Sequence, residues 1–294
     1  MPHLSAISSF EEIYEQFALT NEWMASNGAS LAATRVATYQ KILAELVVAQ
    51  RADNVTLLRA KQTQYVDVLF EISELNFIYR GLARRYIPGL EQKLQAIRSG
   101  PHKRSDEKSS SGASTHPRNT AFELVVAANF ARNNFEVDVS RSEDIRMSSR
   151  GYTYTVECKR PYARNQLGRR IDEAFRQAAG RDETSGCIAA IDLSAIWNPT
   201  SNMIDGANPD LIGQRLVAAI NELYLACDLV KRLHNWRRAV CIFFRISTMA
   251  RDAAMPYYAQ QWIGIANSQH AVSLADSFAS FNRSINEAPN FIAP

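Results

Sequence analysis

The chain has 294 residues, of which 46% are hydrophobic and 21% are charged, a composition typical of a globular protein with about two domains. Its 33 Lys and Arg residues against 30 Asp and Glu give a formal net charge of +3, which by itself does not argue for nucleic-acid binding. The four cysteines form no CxxC pair and the five histidines show no HxxxH or HExxH spacing, so the sequence supports neither a disulfide framework nor a zinc hydrolase site.

The sequence shows no sign of secretion or membrane insertion. Its first residues, MPHLSAISSFEEIYEQF, are acidic where a signal peptide needs an apolar core. The longest apolar strand pattern, AVCIFF, is far shorter than the roughly 18 residues of a membrane-spanning helix. We therefore expect a cytoplasmic protein with no membrane partner.

Residues 1–98 have the pattern of an all-helical domain. Three runs carry apolar residues at three- and four-residue spacing, and the third has a candidate core stripe. That stripe comprises Leu57, Leu58, Val66, Val68, Leu69, Ile72, Leu75, Ile78 and Leu82. Such a domain could form a homodimer, recognise a target, bind a partner protein or regulate its neighbour, and the pattern does not separate these roles.

The composition then changes along the chain. Residues 99–117 are rich in serine and charge and lack large apolar side chains, so we expect a flexible linker there. Residues 118–275 regain an apolar pattern and form the second predicted domain. Residues 276–294 are weakly patterned, which indicates a tail.

The second domain alternates between helix and strand periods. In chain order its predicted elements are the helix TAFELVVAANFARNN, the strands FEVDVSR, EDIRM and YTYTVECK, the helix RRIDEAFRQAAGR, the strand GCIAAIDLS, the helix DLIGQRLVAAINELYLACDLVKRLHN and the strand RAVCIFFRI. We therefore expect an α/β fold class, in which an αβββαβ unit with a mixed central sheet follows the helical domain.

Two carboxylates are predicted to meet across a hairpin. If its turn centres between Arg150 and Gly151, Asp144 lies directly opposite Glu157. Like charges in that position destabilise a sheet unless a cation, a shared proton or water offsets them. A hard ion such as Mg²⁺ binds one or two carboxylates and keeps several waters. Lys159 falls on the same strand face as Glu157, because side chains alternate along a strand.

Asp144 and the Glu157-Cys158-Lys159 triplet, placed on the second and third strands of an αβββαβ unit, resemble the PD-(D/E)XK nuclease superfamily. Glu123 in the preceding helix and Gln177 in the following helix match further positions of that pattern. Glu143 stands where many members have proline before the aspartate. The resemblance covers residues 118 to about 195 and does not extend to residues 1–100.

The resemblance implies a restriction-endonuclease-like fold and a metal-dependent nuclease. It implies that Asp144, Glu157 and the backbone carbonyl of Cys158 hold Mg²⁺, with Mn²⁺ as a substitute. Lys159 would orient or help deprotonate the attacking water or stabilise the transferring phosphoryl group, while Glu123 and Gln177 would support the site.

Each of these residues also has a structural interpretation. A Glu-x-Lys triplet on a strand is often a solvated ion-pairing face. The sequence TAFE can form a capping box, in which Glu123 bonds back to the amide of Thr120 at a helix start. Gln177 could be an ordinary exposed helix residue.

A basic stretch follows the motif. Residues 159–181 hold seven basic side chains against two acidic ones, and the predicted nucleic-acid contacts are Arg160, Arg164, Arg169 and Arg170. They would supply sequence-independent contacts to phosphates. Alternatively, they form a solvated helix face.

The expected function is a Mg²⁺-dependent nuclease that hydrolyses phosphodiester bonds, most simply a DNA endonuclease acting on double-stranded DNA. Analogy with restriction enzymes suggests a role in bacterial defence. A different class of protein is the main alternative: a catalytically inactive nuclease-like fold that binds nucleic acid or a protein partner. An RNA nuclease is a third alternative.

Overall fold

A computed structural model describes residues 9–29, 34–100, 115–180, 184–205, 208–225, 227, 232–233, 235–236, 238–252 and 255–266. Within these residues the chain is a mixed α/β protein in which helices precede a seven-stranded mixed sheet. In the part of the chain described, no helix combines the length and apolarity that crossing a membrane requires.

Helices make up the N-terminal part, as the sequence predicted. The helices are α1 (Phe10–Ser26), α2 (Arg35–Arg51), α3 (Val55–Gln64), α4 (Val66–Leu82) and α5 (Leu90–Ile97). Ser9, Thr34 and Asn54 accept hydrogen bonds from backbone amides and so cap α1, α2 and α3.

The third apolar run differs from the prediction at one point. It forms two helices that meet at Tyr65, and this break changes the helical phase. Leu57 therefore lies outside the stripe and is 43% exposed, whereas Leu58 and most of α4 are buried. Helix α4 is buried on several sides because it packs between α1, the sheet and α6, the helix that spans His116–Arg132.

The predicted linker and tail fall largely on residues outside those described. Residues 101–114 and 267–294 belong to this group. Helix α6 (His116–Arg132) begins two residues inside the predicted linker, with Pro117 at its second position. Proline suits the first turn of a helix, where its missing amide leaves no bond unmade.

The order helix-strand-strand-strand-helix-strand predicted from residue 118 onward is observed, and the sheet continues beyond it. After α6 come β1 (Glu136–Asp138), β2 (Ile145–Ser149), β3 (Tyr152–Lys159), the 3₁₀ turn Arg164–Gln166, α7 (Leu167–Ala179), β4 (Gly186–Asp192), α8 (Ser194–Trp197), β5 (Ile204–Asp205), α9 (Pro209–Leu225), β6 (Ala239–Asp252) and β7 (Met255–Ala266).

The strand order is β1-β2-β3-β4-β6-β5, and β7 pairs with the other side of β6. Strands β1, β2 and β3 are antiparallel, whereas β3, β4 and β6 run parallel. Strand β7 is an antiparallel strand of the sheet that the sequence patterns did not predict.

The hairpin of β2 and β3 has the predicted register, with Ile145 opposite Val156 and Ser149 opposite Tyr152. Its two turn residues both have positive φ, 50° at Arg150 and 82° at Gly151. This geometry is that of a type I′ turn, whose twist matches the twist of the strands. The register extrapolates to Asp144 opposite Glu157.

Two apolar cores lie on opposite faces of the sheet. The first joins the N-terminal helices and α6 to one face, through Tyr154 and Val156 of β3. The second lies between the other face and the helices α7 and α9. The helical region therefore shares a core with the sheet, with α4 and α5 packed directly on α6.

Candidate active site

Asp144, Glu157 and Lys159 come together where β3 ends. The amide of Cys158 donates a 2.7 Å hydrogen bond to Oδ2 of Asp144, which holds this carboxylate against the third strand. Nζ of Lys159 lies 4.0 Å from the same oxygen and 3.5 Å from Oε2 of Glu157. One ammonium group therefore lies close to two carboxylates from neighbouring segments.

Strand alternation explains why Glu157 and Lys159 share a face. Their partners on β4 are Ala189 and Ile191, which belong to the second core, so both side chains lie on the side of α7. Glu157 is only 3% exposed, a burial that charged groups tolerate when counter-charges are close. Lys159 is such a counter-charge.

Glu123 joins this group from α6 and carries its own ion pair. Its carboxylate binds Nζ of Lys93, a residue of α5. Burial raises the pKa of Glu123 above its usual range, and the nearby negative charge of Asp144 raises it further, while Lys93 and Lys159 oppose that rise. The five charged side chains of this cluster are Lys93, Glu123, Asp144, Glu157 and Lys159, hereafter the carboxylate cluster.

The capping-box interpretation of Glu123 is wrong. Helix α6 begins at His116, which places Glu123 at the eighth helical residue, more than a turn beyond the positions that cap a helix. Its burial therefore reflects the packing of α6 between α5 and the sheet.

The side chain of Cys158 lies on the other face of β3 and packs against the first core. Burial, followed by the charges of Asp144 and Glu123, raises the pKa of its thiol well above the usual value. The sulfur therefore stays protonated and is a poor metal ligand. Only the backbone carbonyl of Cys158 suits the role that the resemblance implies.

Gln177 is not brought to the carboxylate cluster by the fold. It lies in the last turn of α7 and is exposed. Helix α7 starts after the end of β3 and returns to the start of β4, so Gln177 lies about 15 Å along the helix from its first residue. It therefore sits toward the end of the sheet opposite Lys159.

The four predicted phosphate-binding arginines have different environments. The side chain of Arg160 is 6% exposed, with Nε 3.4 Å from Oδ2 of Asp192 at the end of β4. Arg164 is exposed and bonds Glu222, and Arg170 pairs with Glu173 on the same helix. Arg169 is exposed. The exposed groups lie at the start of α7, beside the end of β3, whereas the Arg160 side chain is turned toward Asp192 and is largely withdrawn from solvent.

Lys93 is the member of this cluster that sequence reasoning missed. In α5 the apolar residues Leu90, Leu94 and Ile97 face the core, and the pattern marks Lys93 only as a polar neighbour. Its contact with Glu123 spans 30 residues of sequence, and no motif carries that information. The helical region thus supplies a charge to the site.

The oxygen atoms of this site suit a hard divalent ion that needs only a few ligands from the protein. Among the described residues, no group of three or more His, Cys, Asp or Glu side chains is arranged to hold a metal. Two carboxylates and a backbone carbonyl are present, and Mg²⁺ is usually bound by one or two carboxylates together with water and substrate phosphate. The chemistry of Asp144, Glu157 and the Cys158 carbonyl therefore fits Mg²⁺.

Comparison with known proteins yields no relative: no protein-family model, curated protein or solved structure matches this chain. The likeness to PD-(D/E)XK nucleases rests on the residues and their spacing.

Proposed function

We propose that this protein is a Mg²⁺-dependent nuclease with a restriction-endonuclease-like fold that acts on DNA, and that its active site is the end of β3. The observation that carries the proposal is the approach of Lys159 Nζ to carboxylate oxygens of both Asp144 and Glu157, at 4.0 and 3.5 Å. The order of elements from α6 to β4 supports it.

Asp144, Glu157 and the carbonyl of Cys158 would hold the ion. Bound there, Mg²⁺ supplies a Lewis acid that polarises a phosphate and lowers the pKa of a coordinated water. The hydrogen bond from the Cys158 amide keeps one oxygen of Asp144 in place and leaves the other available.

Lys159 would contribute a positive charge at the reacting phosphate. Its ammonium group balances the two carboxylates when they hold nothing else, and it can turn from them to a phosphate oxygen or the attacking water. A preorganised cation of this kind stabilises the charge that develops in the transition state. Glu123, which is paired with Lys93, adds a further negative charge that strengthens the binding of a cation.

The test is cleavage of plasmid DNA, single-stranded DNA and RNA with Mg²⁺, with Mn²⁺ and with a chelator. We expect cation-dependent cleavage that Asp144→Ala and Lys159→Ala each lower by about 100-fold or more. Comparison of the substrates separates a DNA nuclease from an RNA nuclease.

The chain offers a matched control for these variants. Glu45 and Lys61 form a carboxylate–ammonium pair of 2.7 Å on the surface of the helical region. Lys61→Ala and Glu45→Gln should leave cleavage at the level of the unaltered protein. Full activity in Asp144→Ala and Lys159→Ala, with folding intact, would contradict the proposal.

A second candidate is a nuclease-like protein that binds nucleic acid or a partner without cleaving. It is favoured by the ion pairs of Lys159, which balance both carboxylates without a metal. Titration with Mn²⁺, followed by electron paramagnetic resonance, separates the two candidates. A nuclease should bind the ion and lose that binding in Glu157→Ala, whereas the second candidate should bind none.

A further inference from the structure

The connection between α4 and α5, residues 83–89, has a basic and aromatic tip. Arg84 and Arg85 are exposed, and Tyr86 is 91% exposed. Within the described part of the chain, neither arginine forms an ion pair, and Arg85 reaches only the side-chain oxygen of Asn134, at 3.4 Å. Two cations and an aromatic ring thus face solvent on adjacent residues, hereafter the Arg-Arg-Tyr tip.

This connection is anchored to the segment that leads to Asp144. The amide of Val139 donates a 2.9 Å hydrogen bond to the carbonyl of Pro88. Gly89 has φ of 80°, and a Cβ atom there would lie 2.4 Å from the Cα of Ser140. Ser140 is four residues from Asp144, so the Cα atoms of these two residues lie within about 14 Å of each other.

A groove of about 490 Å³ lies beside the tip and includes the same segment. Its basic lining residues are Arg85, Arg141 and Arg146. Arg141 pairs with Asp138 and Arg146 with Glu143, so these two charges are partly balanced. The positive charge available to a ligand is therefore concentrated at Arg84 and Arg85.

The chemistry of the tip fits single-stranded nucleic acid. An exposed aromatic ring stacks on the face of a base, and neighbouring arginines bind the phosphates on either side. In a duplex the base faces are covered by their neighbours, so a stacking ring needs an unstacked base or a strand end. A ring that is 91% exposed, as that of Tyr86 is, suits this role.

We propose that the Arg-Arg-Tyr tip binds a single-stranded segment of nucleic acid and so holds a substrate strand that continues to the carboxylate cluster. This inference deepens the proposed nuclease function and rests on it for the cleavage step, while the binding step can be measured alone. It assigns to the helical region a role in substrate selection: nucleic acid with a single-stranded stretch or overhang, in preference to blunt duplex.

The test is fluorescence anisotropy with the full chain, in chelator, on labelled single-stranded DNA, single-stranded RNA, blunt duplex DNA and duplex DNA with an overhang. Tyr86→Ala should weaken binding to the single strands and to the overhang by about 5- to 100-fold, while Tyr86→Phe keeps the stacking ring and binds like the unaltered protein. The two single-stranded probes show whether the preferred sugar is deoxyribose or ribose.

The contribution of Arg84 and Arg85 is measured separately, from the salt dependence of binding. Replacing both Arg84 and Arg85 by alanine should reduce the slope of log affinity against log salt by about 1.4, the loss of two phosphate contacts to a single strand. Arg51→Ala is the control, because Arg51 is an arginine on α2 with a side chain 72% exposed. It should change neither the affinity nor the slope.

Three results would overturn the inference: no binding of single strands, equal binding by Tyr86→Ala and the unaltered protein, or equal losses on blunt duplex and single strands. These results differ from failure of the nuclease proposal. If Glu157-dependent cleavage is present while Tyr86→Ala binds normally, only the inference fails. If the tip binds single strands but no cation-dependent cleavage occurs, the nuclease function fails and the binding surface stands.

Discussion

The environment of Glu123 in the candidate site alters the ionisation of its carboxyl group. It is buried, it faces the negative charge of Asp144, and its partner Lys93 comes from a separate helix. Burial and Asp144 raise the pKa of Glu123, so the folded protein binds its proton more tightly than the unfolded chain does. Charging Glu123 therefore opposes folding.

The raised pKa of Glu123 makes the stability of the protein depend on pH. The free energy of unfolding should fall as pH rises from the ordinary value of 4.5 through the raised pKa of Glu123. Glu123→Gln removes this titration. Relative to the unaltered protein, the variant should gain stability as pH rises above 4.5, measured by urea unfolding at a series of pH values.

Glu45 provides a control of opposite sign. Its hydrogen bond to Lys61 lowers the pKa of this carboxyl below its usual value, so ionised Glu45 favours folding. Glu45→Gln should therefore lose stability relative to the unaltered protein as pH rises from below toward the ordinary value of 4.5, and the difference should stay constant at higher pH. If rising pH changed the stability of both variants in the same direction relative to the unaltered protein, the pKa of Glu123 would not be raised.

At the scale of elements, two connections place the candidate catalytic groups. The type I′ turn sets the register of β2 and β3 and so brings Asp144 to Glu157. The connection between α4 and α5 anchors the segment before Asp144 through Pro88 and Gly89. Both depend on a glycine with nearly the same φ, 82° at Gly151 and 80° at Gly89.

These two glycines give a matched pair of substitutions. Gly151→Ala adds a methyl group with nothing within 4 Å, so only the positive φ is penalised, at about 1 kcal/mol. Gly89→Ala adds the same penalty and a contact with the backbone of Ser140, so it should cost about 1–3 kcal/mol more. Urea unfolding of both variants measures the difference, and equal costs would show that the backbone around Ser140 adjusts freely.

For the whole molecule, a buried ionic network joins the helical region to the sheet-bearing part. Glu71 of α4 is hydrogen-bonded to Arg35 and Tyr39 of α2 and to Arg118 of α6. Burial opposes ionisation of Glu71, but Arg35 and Arg118 outweigh it and keep the pKa of this carboxyl below its usual value. Three helices therefore depend on one carboxylate, beside the apolar core that they share.

Glu71→Gln should destabilise the protein by about 3–5 kcal/mol, because it leaves two buried guanidinium groups without their counter-charge. Thermal unfolding measured by circular dichroism and by tryptophan fluorescence should give one midpoint for both signals. Glu11→Gln breaks an exposed pair with Arg51 and should leave the midpoint unchanged. Separate transitions for helices and sheet would contradict the coupling.

Local patterns were sufficient for much of the fold. Strand alternation and the residues of one turn predicted the register of β2 and β3, and apolar spacing predicted α6, α7 and β4. The break at Tyr65 and strand β7 were not predicted. The break at Tyr65 depends on helix packing, and strand β7 depends on pairing with β6. Neither interaction is visible in a local sequence pattern.

The sequence by itself determined that Asp144, Glu157 and Lys159 could converge, because register and side-chain alternation are properties of short segments. Only the tertiary structure decided that Lys93 and Glu123 join them, that the Arg160 side chain is turned toward Asp192, and that Gln177 lies apart. These relations depend on contacts between helices and strands distant in sequence. Long-range packing sets such contacts, and no single segment encodes them.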